Sequence, residues 1–197
     1  MTMQITHQKV EIEEPSIVKF IFSDKRFAIV WLVARLWLGY QWLSAVQHKL
    51  ADPAWTVTGA ALKGYWTGAI STSPKAIIAF DWYRQGLQFL LDIQAYTWFS
   101  KVVVAGELLV GILLILGAFT GVAAFVGGFM NWNFMMAGSA STNPLLFVVA
   151  VLLILAWKTA GYYGLDRWLL PLLGTPWRPA WALKPKPAQV EPVPVPI

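Results

Sequence analysis

Two charged residues lie deep inside hydrophobic stretches of this sequence. Arg35 is near the middle of the apolar stretch at 27–47, and Glu107 is near the middle of the stretch at 98–119. A charged side chain at the centre of a bilayer costs roughly 2.5–3.5 kcal/mol on insertion scales, so it persists where it is paired, hydrated or functional. Arginine donates hydrogen bonds to carbonyl groups and glutamate carries protons, so both residues are candidate catalytic residues.

The positions of these two charges predict that they are neighbours. If the two stretches form antiparallel helices, Arg35 lies about 12 Å from one membrane face and Glu107 about 14 Å from the other, at 1.5 Å per residue. In a hydrocarbon core about 30 Å thick these depths nearly coincide. The simplest expectation is an Arg35–Glu107 ion pair. The alternative is that the two residues belong to a ligand or proton-transfer site.

Helical spacing adds further residues to this candidate site. Trp42 and Lys49 follow Arg35 on one face of the first helix. Gly39 lies on the same face, where a small residue leaves room for another helix or for a planar ligand. His48 points elsewhere and is either a structural residue or a ligand-binding one.

Three asparagines complete the set of candidate binding residues. Asn131 and Asn133 are about 200° apart around a helix axis, so only one of them can join the charged cluster. Buried asparagines also serve simply to bond neighbouring helices. Asn143 ends the hydroxyl-rich turn at 138–143, which either caps the following helix or binds an anion.

The composition indicates an integral membrane protein. Of the 197 residues 57% are hydrophobic and only 13% are charged, which is too apolar for a soluble domain of this length. The absence of cysteine excludes disulfides, iron–sulfur clusters and covalently attached haem within this chain, and no metal site is predicted. The net charge of +5 comes from basic residues near the two ends, which indicates lipid head groups as the partner and not a nucleic acid.

Four apolar stretches predict an all-α, four-helix membrane bundle, because a bilayer span needs roughly 20 apolar residues. The predicted spans are 27–47, 98–119, 122–137 and 145–163. The polar arm at 1–26 and the proline-rich tail at 178–197 are predicted to be cytoplasmic, since both ends are rich in Lys and Arg. The outer segment at 48–97 is too long and aromatic for a plain loop. We expect an interfacial helix over 76–93 that covers the outer mouth of the bundle.

The chain resembles the DoxX family of four-helix membrane proteins, and within it the DoxD-like branch. The resemblance runs over about 23–177 and defines a membrane domain at 27–177. It is carried by the segments at 35–55, 61–66, 106–121, 133–144 and 164–177. The positions that match the family pattern are Arg35, Gly39, Lys49, Glu107, Gly111, Asn133 and Asn143.

The resemblance implies a membrane subunit of a thiosulfate:quinone oxidoreductase in a bacterial or archaeal cytoplasmic membrane. Such an enzyme oxidises thiosulfate to tetrathionate and reduces a quinone, together with a small DoxA-like partner. A quinone would enter between the first two spans, where Arg35 or Asn133 bonds a carbonyl, Glu107 relays protons and Trp37, Trp42 or Trp132 stacks on the ring. No covalently bound cofactor is expected.

Two other functions remain open. The chain could be a non-catalytic membrane anchor or assembly subunit for a redox or detoxifying enzyme, with the buried charges purely structural. Small-solute transport is less favoured, because the sequence has neither an internal repeat nor a broken helix. The partners expected are membrane lipid, a DoxA-like or other redox subunit, and a second copy of the chain.

Overall fold

The computed structural model describes residues 14–72 and 77–174, and all of the regular elements in these ranges are helices. The predicted all-α fold is therefore confirmed for this part of the chain, whereas the proline-rich tail at 178–197 lies outside it. The helices are α1 (Ser16–Ser23), α2 (Ala28–Leu50), α3 (Pro53–Thr56), α4 (Ala60–Ile70), α5 (Asp81–Asp92), α6 (Tyr96–Leu116), α7 (Thr120–Met136), α8 (Asn143–Leu155), α9 (Trp157–Ala160) and α10 (Asp166–Leu172), and a 3-10 turn (Lys25–Phe27) precedes α2.

Two of the described helices are long and apolar enough to cross a bilayer. One is α2 with the turn before it, over Lys25–Leu50, and the other is α6 over Tyr96–Leu116. Helix α7 has 17 residues and α8 has 13, and both are shorter than the roughly 20 residues that a span requires. The described residues thus contain two candidate spans where the sequence predicts four.

The fourth predicted span, 145–163, is not one helix. Helix α8 ends at Leu155, and the four-residue α9 follows after Ala156. The Thr159 hydroxyl donates to the Ala156 carbonyl at 3.3 Å and to the Phe22 carbonyl of α1 at 3.0 Å. The bond to Phe22 holds the short α9 against α1.

Helices α2 and α6 are antiparallel and pack closely at two glycines. A Cβ atom on Gly39 would lie 3.0 Å from Ile115 Cδ1, and one on Gly111 would lie 2.7 Å from Leu43 Cδ2. Each glycine therefore admits a side chain of the other helix, as small residues do where helices approach closely. The space beside Gly39 is filled by this packing and not by a ligand.

This packing separates the two charges that the sequence predicts to pair. The glycine contacts place Glu107 level with about position 47 of α2. Arg35 lies about 12 positions earlier, which is about 18 Å along the axis. The predicted Arg35–Glu107 pair is wrong. The prediction assumes that the ends of the two hydrophobic stretches are level, whereas the helices are shifted along each other by about eight residues from that alignment.

The bundle has two distinct ends. We call the end where α2 begins the basal end, and the end where α2 finishes the apical end. Helix α7 runs back to the apical end, and α8 packs against it, since a Cβ on Gly128 would lie 3.4 Å from the Ala150 Cβ. Helices α7 and α8 therefore pack closely at this glycine. The core between these helices is Trp31, Leu38, Trp42, Val110, Leu114, Ala123, Ala124, Leu146, Ala150, Leu153, Ala156 and Ala160.

Helices α3, α4 and α5 form an apical cap, defined here as 51–72 and 77–95. The cap has its own hydrophobic cluster, which consists of Leu62, Trp66, Ala69, Ile78, Leu87, Ala95 and Ala137. Two tyrosines attach it to the carboxyl end of α7. The Tyr65 hydroxyl donates to the Phe134 carbonyl at 3.2 Å, and the Tyr83 hydroxyl donates to the Asn133 carbonyl at 3.0 Å. Within the helix expected at 76–93, α5 occupies Asp81–Asp92.

Candidate functional site

A cavity of about 410 Å³ lies at the apical end, between α2, α6, α7, α8 and the apical cap. This volume lies within the usual range of small-molecule sites. Its buried floor consists of Trp42, Glu107 and Asn131, its aromatic wall of Trp55, Tyr65 and Phe134, and its exposed rim of Ala45, His48 and Thr142. We call this space the apical cavity. It brings together Trp42, His48, Lys49, Glu107, Asn131 and Asn143 of the residues predicted to form a site.

Lys49, and not Arg35, is the counter-charge of Glu107. The Lys49 Nζ donates a hydrogen bond to Glu107 Oε1. The Glu107 side chain is 1% exposed and that of Lys49 is 20% exposed, so the lysine stem passes from the rim to the floor. The ammonium also lies 4.8 Å from the ring centre of Trp55 and 5.6 Å from that of Phe134. These cation–π contacts further stabilise the buried charge.

Polar atoms on the floor have no hydrogen-bond partner among the described residues. They are Trp42 Nε1, Glu107 Oε2, and both Nδ2 and Oδ1 of Asn131. An unsatisfied buried polar atom costs about 1–3 kcal/mol, so such atoms usually have a purpose. Trp42 Nε1 and Asn131 Nδ2 are donors, and the other two atoms are acceptors. The floor thus offers hydrogen-bond donors and acceptors side by side.

The two asparagines of α7 point to different places, as their spacing predicts. Asn131 lies in the apical cavity with Glu107. Asn133 faces the cap instead, because its Nδ2 donates to the Phe129 carbonyl at 2.8 Å and its Oδ1 accepts from the Tyr83 hydroxyl at 3.3 Å. Only Asn131 therefore belongs with the charged pair.

Asn143 and His48 lie at the edge of the cavity. The Asn143 Nδ2 donates to the carbonyl of Ser139 at 2.8 Å and to its Oγ at 3.3 Å. The side chain of Thr142, which precedes α8, makes no bond that caps this helix. His48 is exposed on the rim. Both residues are placed to contact a ligand at the opening but not at the floor.

Arg35 lies at the basal end, outside the apical cavity. Its Nη1 donates to the carbonyls of Leu114 at 2.7 Å and Ile115 at 3.2 Å, and its Nη2 donates to the Tyr163 carbonyl at 3.2 Å. The first two carbonyls end α6, where the helix dipole is negative and the backbone lacks internal partners. Arg35 therefore joins α2 to the end of α6 and to the chain before α10, which is a structural role.

Asp166 complements Arg35, and the sequence does not single it out as a candidate. Its carboxylate accepts from the backbone N–H groups of Phe119 at 2.5 Å and Thr120 at 2.9 Å, at the positive end of α7. It also interacts electrostatically with Arg35. A signal exists in the sequence, since no other Asp or Glu occurs between Glu107 and Asp166. We call Arg35, Gly117, Tyr163, Gly164 and Asp166 the basal junction.

The two tyrosines that attach the cap remain neutral hydrogen-bond donors at physiological pH. Burial raises the pKa of Tyr65, and the hydrogen bond with Ser139 lowers it by less. Burial and the neighbouring Tyr65 raise the pKa of Tyr83 to about 12. Both hydroxyls therefore continue to donate to the carboxyl end of α7.

Comparisons with known proteins give no match to a family model, a curated protein or a solved structure. Within residues 14–72 and 77–174, no three His, Asp or Glu side chains are grouped as a metal site would require. The chemistry of the apical cavity is therefore inferred from the side chains that line it.

Proposed function

We propose that the protein is a DoxX-like membrane protein with four membrane-crossing segments, and that its apical cavity binds the head group of a quinone. The observation that carries this proposal is the mixture of unpartnered donors and acceptors on the cavity floor. A quinone accepts hydrogen bonds through two carbonyl oxygens, and the quinol formed from it donates hydrogen bonds from the same oxygens. A site that holds both redox states needs both kinds of group.

Individual floor atoms fit these needs. Asn131 Nδ2 would donate to a carbonyl of the oxidised ring, whereas Trp42 Nε1 packs against Gly127 of α7. Asn131 Oδ1 and Glu107 Oε2 would accept from the hydroxyls of the reduced ring. The aromatic wall supplies flat apolar surface for the ring itself, as ligand sites commonly do.

The exposed surface of the bundle supports membrane embedding. Beyond the two long helices, α7 exposes Val122, Phe125 and Phe129, and α8 exposes Leu145, Val148 and Leu155. Exposed apolar surface of this extent marks a membrane or protein interface. Helices α8 and α9 together cover about 18 residues, or about 27 Å, which approaches the bilayer core despite the break between them. In the proposed topology the termini are cytoplasmic and the apical cap is outside.

A quinone would enter between α2 and α8. The route between the first two spans is closed, because Gly39 and Gly111 hold α2 and α6 in close contact. The exposed rim residues instead belong to α2 and to the start of α8. An entrance on this side would lead from the outer half of the bilayer directly to the buried floor.

The redox reaction implied by the family resemblance is balanced with thiosulfate as donor. Two thiosulfate ions lose two electrons when they join as tetrathionate, and the quinone takes up two electrons and two protons. Lys49 and Glu107 form the proton-exchanging pair nearest to the unpartnered floor atoms. A DoxA-like subunit is the expected partner in this reaction.

The test is binding of a short-chain quinone analogue to the purified protein, monitored through quenching of tryptophan fluorescence. Asn131→Leu removes one donor and one acceptor while keeping a similar side-chain volume, so we expect Kd to rise at least about tenfold. Asn133→Leu is the matched control, two residues away on the same helix and directed at Tyr83. It should leave Kd within about twofold of the wild type.

A measurement of enzymatic turnover distinguishes the redox function from the alternative of a non-catalytic membrane anchor. With the analogue bound, thiosulfate should drive its reduction, and Glu107→Gln should abolish this activity. Failure of the wild-type protein to bind the analogue would refute the quinone site. Binding without thiosulfate-dependent reduction, in the presence of its partner subunit, would favour a non-catalytic role.

A further inference from the structure

Two short helices at the basal end expose large apolar side chains. Helix α1 exposes Ile17 and Phe20, and α10 exposes Trp168 and Leu172. Helix α1 is held against the bundle, because the Trp31 Nε1 donates to the Ile21 carbonyl at 2.8 Å and the Phe22 and Trp31 rings stack 5.6 Å apart. Helix α10 is held by the basal junction. The two helices therefore present fixed apolar surface at the same end of the molecule.

Cationic groups lie between these two helices. The Lys25 Nζ is 5.3 Å from the ring centre of Tyr162, and the Arg167 guanidinium carbon is 5.4 Å from the same ring. Both residues are exposed, and neither forms an ion pair with a residue in 14–72 or 77–174. Lys19 and Lys158 add positive charge to this end.

The acidic groups at the basal end do not cancel this charge. Asp24 is engaged by Arg26, whose Nε and Nη2 donate to it at 3.0 and 2.7 Å. Asp166 is fully buried and bonded to the start of α7. Glu14 is the remaining exposed acid near α1 among the described residues. Among residues 14–72 and 77–174, the basal end therefore presents an excess of cations beside exposed apolar side chains.

We propose that α1, α10 and the Lys25–Tyr162–Arg167 group form a basal collar that binds the phosphate head groups of acidic phospholipids. Apolar side chains from both helices would enter the edge of the bilayer, and the two cations on one ring would contact lipid phosphate. Each basic residue near an anionic leaflet adds to binding, and its effect declines within a Debye length. The collar rests on the proposed membrane embedding and is independent of the quinone site.

The test compares the full-length protein in nanodiscs of pure phosphatidylcholine with nanodiscs that contain one quarter phosphatidylglycerol. We expect phosphatidylglycerol to raise the wild-type Tm by about 4 °C or more. The double variant Lys25→Gln/Arg167→Gln should lose most of this shift. Inorganic phosphate added to phosphatidylcholine nanodiscs should not reproduce it, because the apolar contacts of the collar require a lipid.

The matched control is Lys63→Gln/Lys101→Gln, which removes the same charge from the apical half. Lys63 also stands over a tyrosine ring, 5.2 Å from the centre of Tyr96. This control should keep the full lipid shift. Equal loss in both double variants, or no shift in the wild type, would refute the collar. Failure of the protein to insert into either nanodisc would instead refute the membrane embedding on which the collar rests.

Discussion

The Glu107 carboxylate is completely buried, and Lys49 supplies its counter-charge. A buried carboxylate loses its hydration, and the contact with Lys49 returns part of that free energy. We therefore expect Lys49→Met to lower the free energy of unfolding by roughly 3 kcal/mol, because it leaves an uncompensated buried charge. The double variant Lys49→Met/Glu107→Leu should lose less than the two single variants together.

The measurement is a double-mutant cycle by thermal unfolding in detergent micelles. Lys101→Met serves as the control, since Lys101 is exposed on α6 and forms no ion pair with a described residue. Its effect should stay within about 0.5 kcal/mol. Strict additivity in the Lys49–Glu107 cycle would show that the ion pair contributes nothing to the fold.

At this scale the sequence identifies the important residues better than their partners. A charge inside an apolar stretch is visible in the sequence, so Arg35 and Glu107 are both found. Their partners depend on how far one helix is shifted along the other, and hydrophobic stretches do not specify that shift. Placing Gly39 against Ile115 and Gly111 against Leu43, instead of aligning the helix ends, brings Lys49 level with the turn that carries Glu107.

The turn between α6 and α7 is the element that the basal junction stabilises. Gly117 ends α6 with a φ of 65°, and a Cβ there would clash with Arg35 Nη1 and lie 2.9 Å from the Gly164 Cα. Gly117→Ala therefore adds both a strained backbone and a clash. We expect it to lower Tm by at least about 6 °C, as a loss of a few kcal/mol does in a protein of this size.

Gly68→Ala is the control for that experiment. Gly68 lies inside α4, where an added Cβ would have no neighbouring atom within 4 Å, and alanine is the better helix former by about 1 kcal/mol. Its Tm should stay level or rise. A Gly117→Ala protein as stable as the wild type would contradict the close packing of Arg35 and Gly164 around this turn.

The attachment of α5 to α7 should make the fold sensitive to alkali. The pKa of Tyr83 is about 12 in the folded protein, against about 10 in an unfolded chain. The unfolded state therefore releases this proton first, and the contribution of Tyr83 to stability is complete below pH 10 and lost as pH rises toward 12. Tyr83→Phe should flatten the fall in Tm over this interval.

The control is Tyr40→Phe, because Tyr40 is exposed on α2 and remote from the cap. Tyrosinate absorbance is recorded alongside Tm in the wild type and in both variants. The tyrosine that loses its proton only near pH 12 should be missing from Tyr83→Phe. If Tyr83→Phe and the wild type lose stability in parallel between pH 10 and 12, the hydroxyl does not hold the cap.

Helix ends are harder to predict from the sequence than helix positions. Gly117 ends α6 through a left-handed cap, and such glycines are recognisable in a sequence. The end of α8 at Leu155 lies within an unbroken apolar run, so no residue type marks it in the sequence. The sequence does not predict α1 itself, because the stability of this helix comes from packing against Trp31 and α9.

At the scale of the whole molecule, an apolar middle lies between the cationic basal end and the apical cap. Exposed apolar residues occupy the sides of the bundle, and they include Val33 on α2 and Leu109 on α6. The basal end carries the cationic collar, and the apical end carries the cap and the cavity. This arrangement fits the proposed bundle that crosses the membrane with its ends in different compartments.

The complete absence of cysteine in the sequence allows this topology to be measured directly. Ser16→Cys at the basal end and Gln85→Cys on the cap are both at exposed positions, and Val33→Cys lies on the apolar side of α2. In intact cells a membrane-impermeant maleimide should label Gln85→Cys alone. Ser16→Cys should react only after permeabilisation, and Val33→Cys should stay unreactive until the protein is denatured, because thiolate forms poorly in hydrocarbon. Labelling of Ser16→Cys and Gln85→Cys from the same side would contradict the four-span topology, since α2 alone would then fail to separate the two ends.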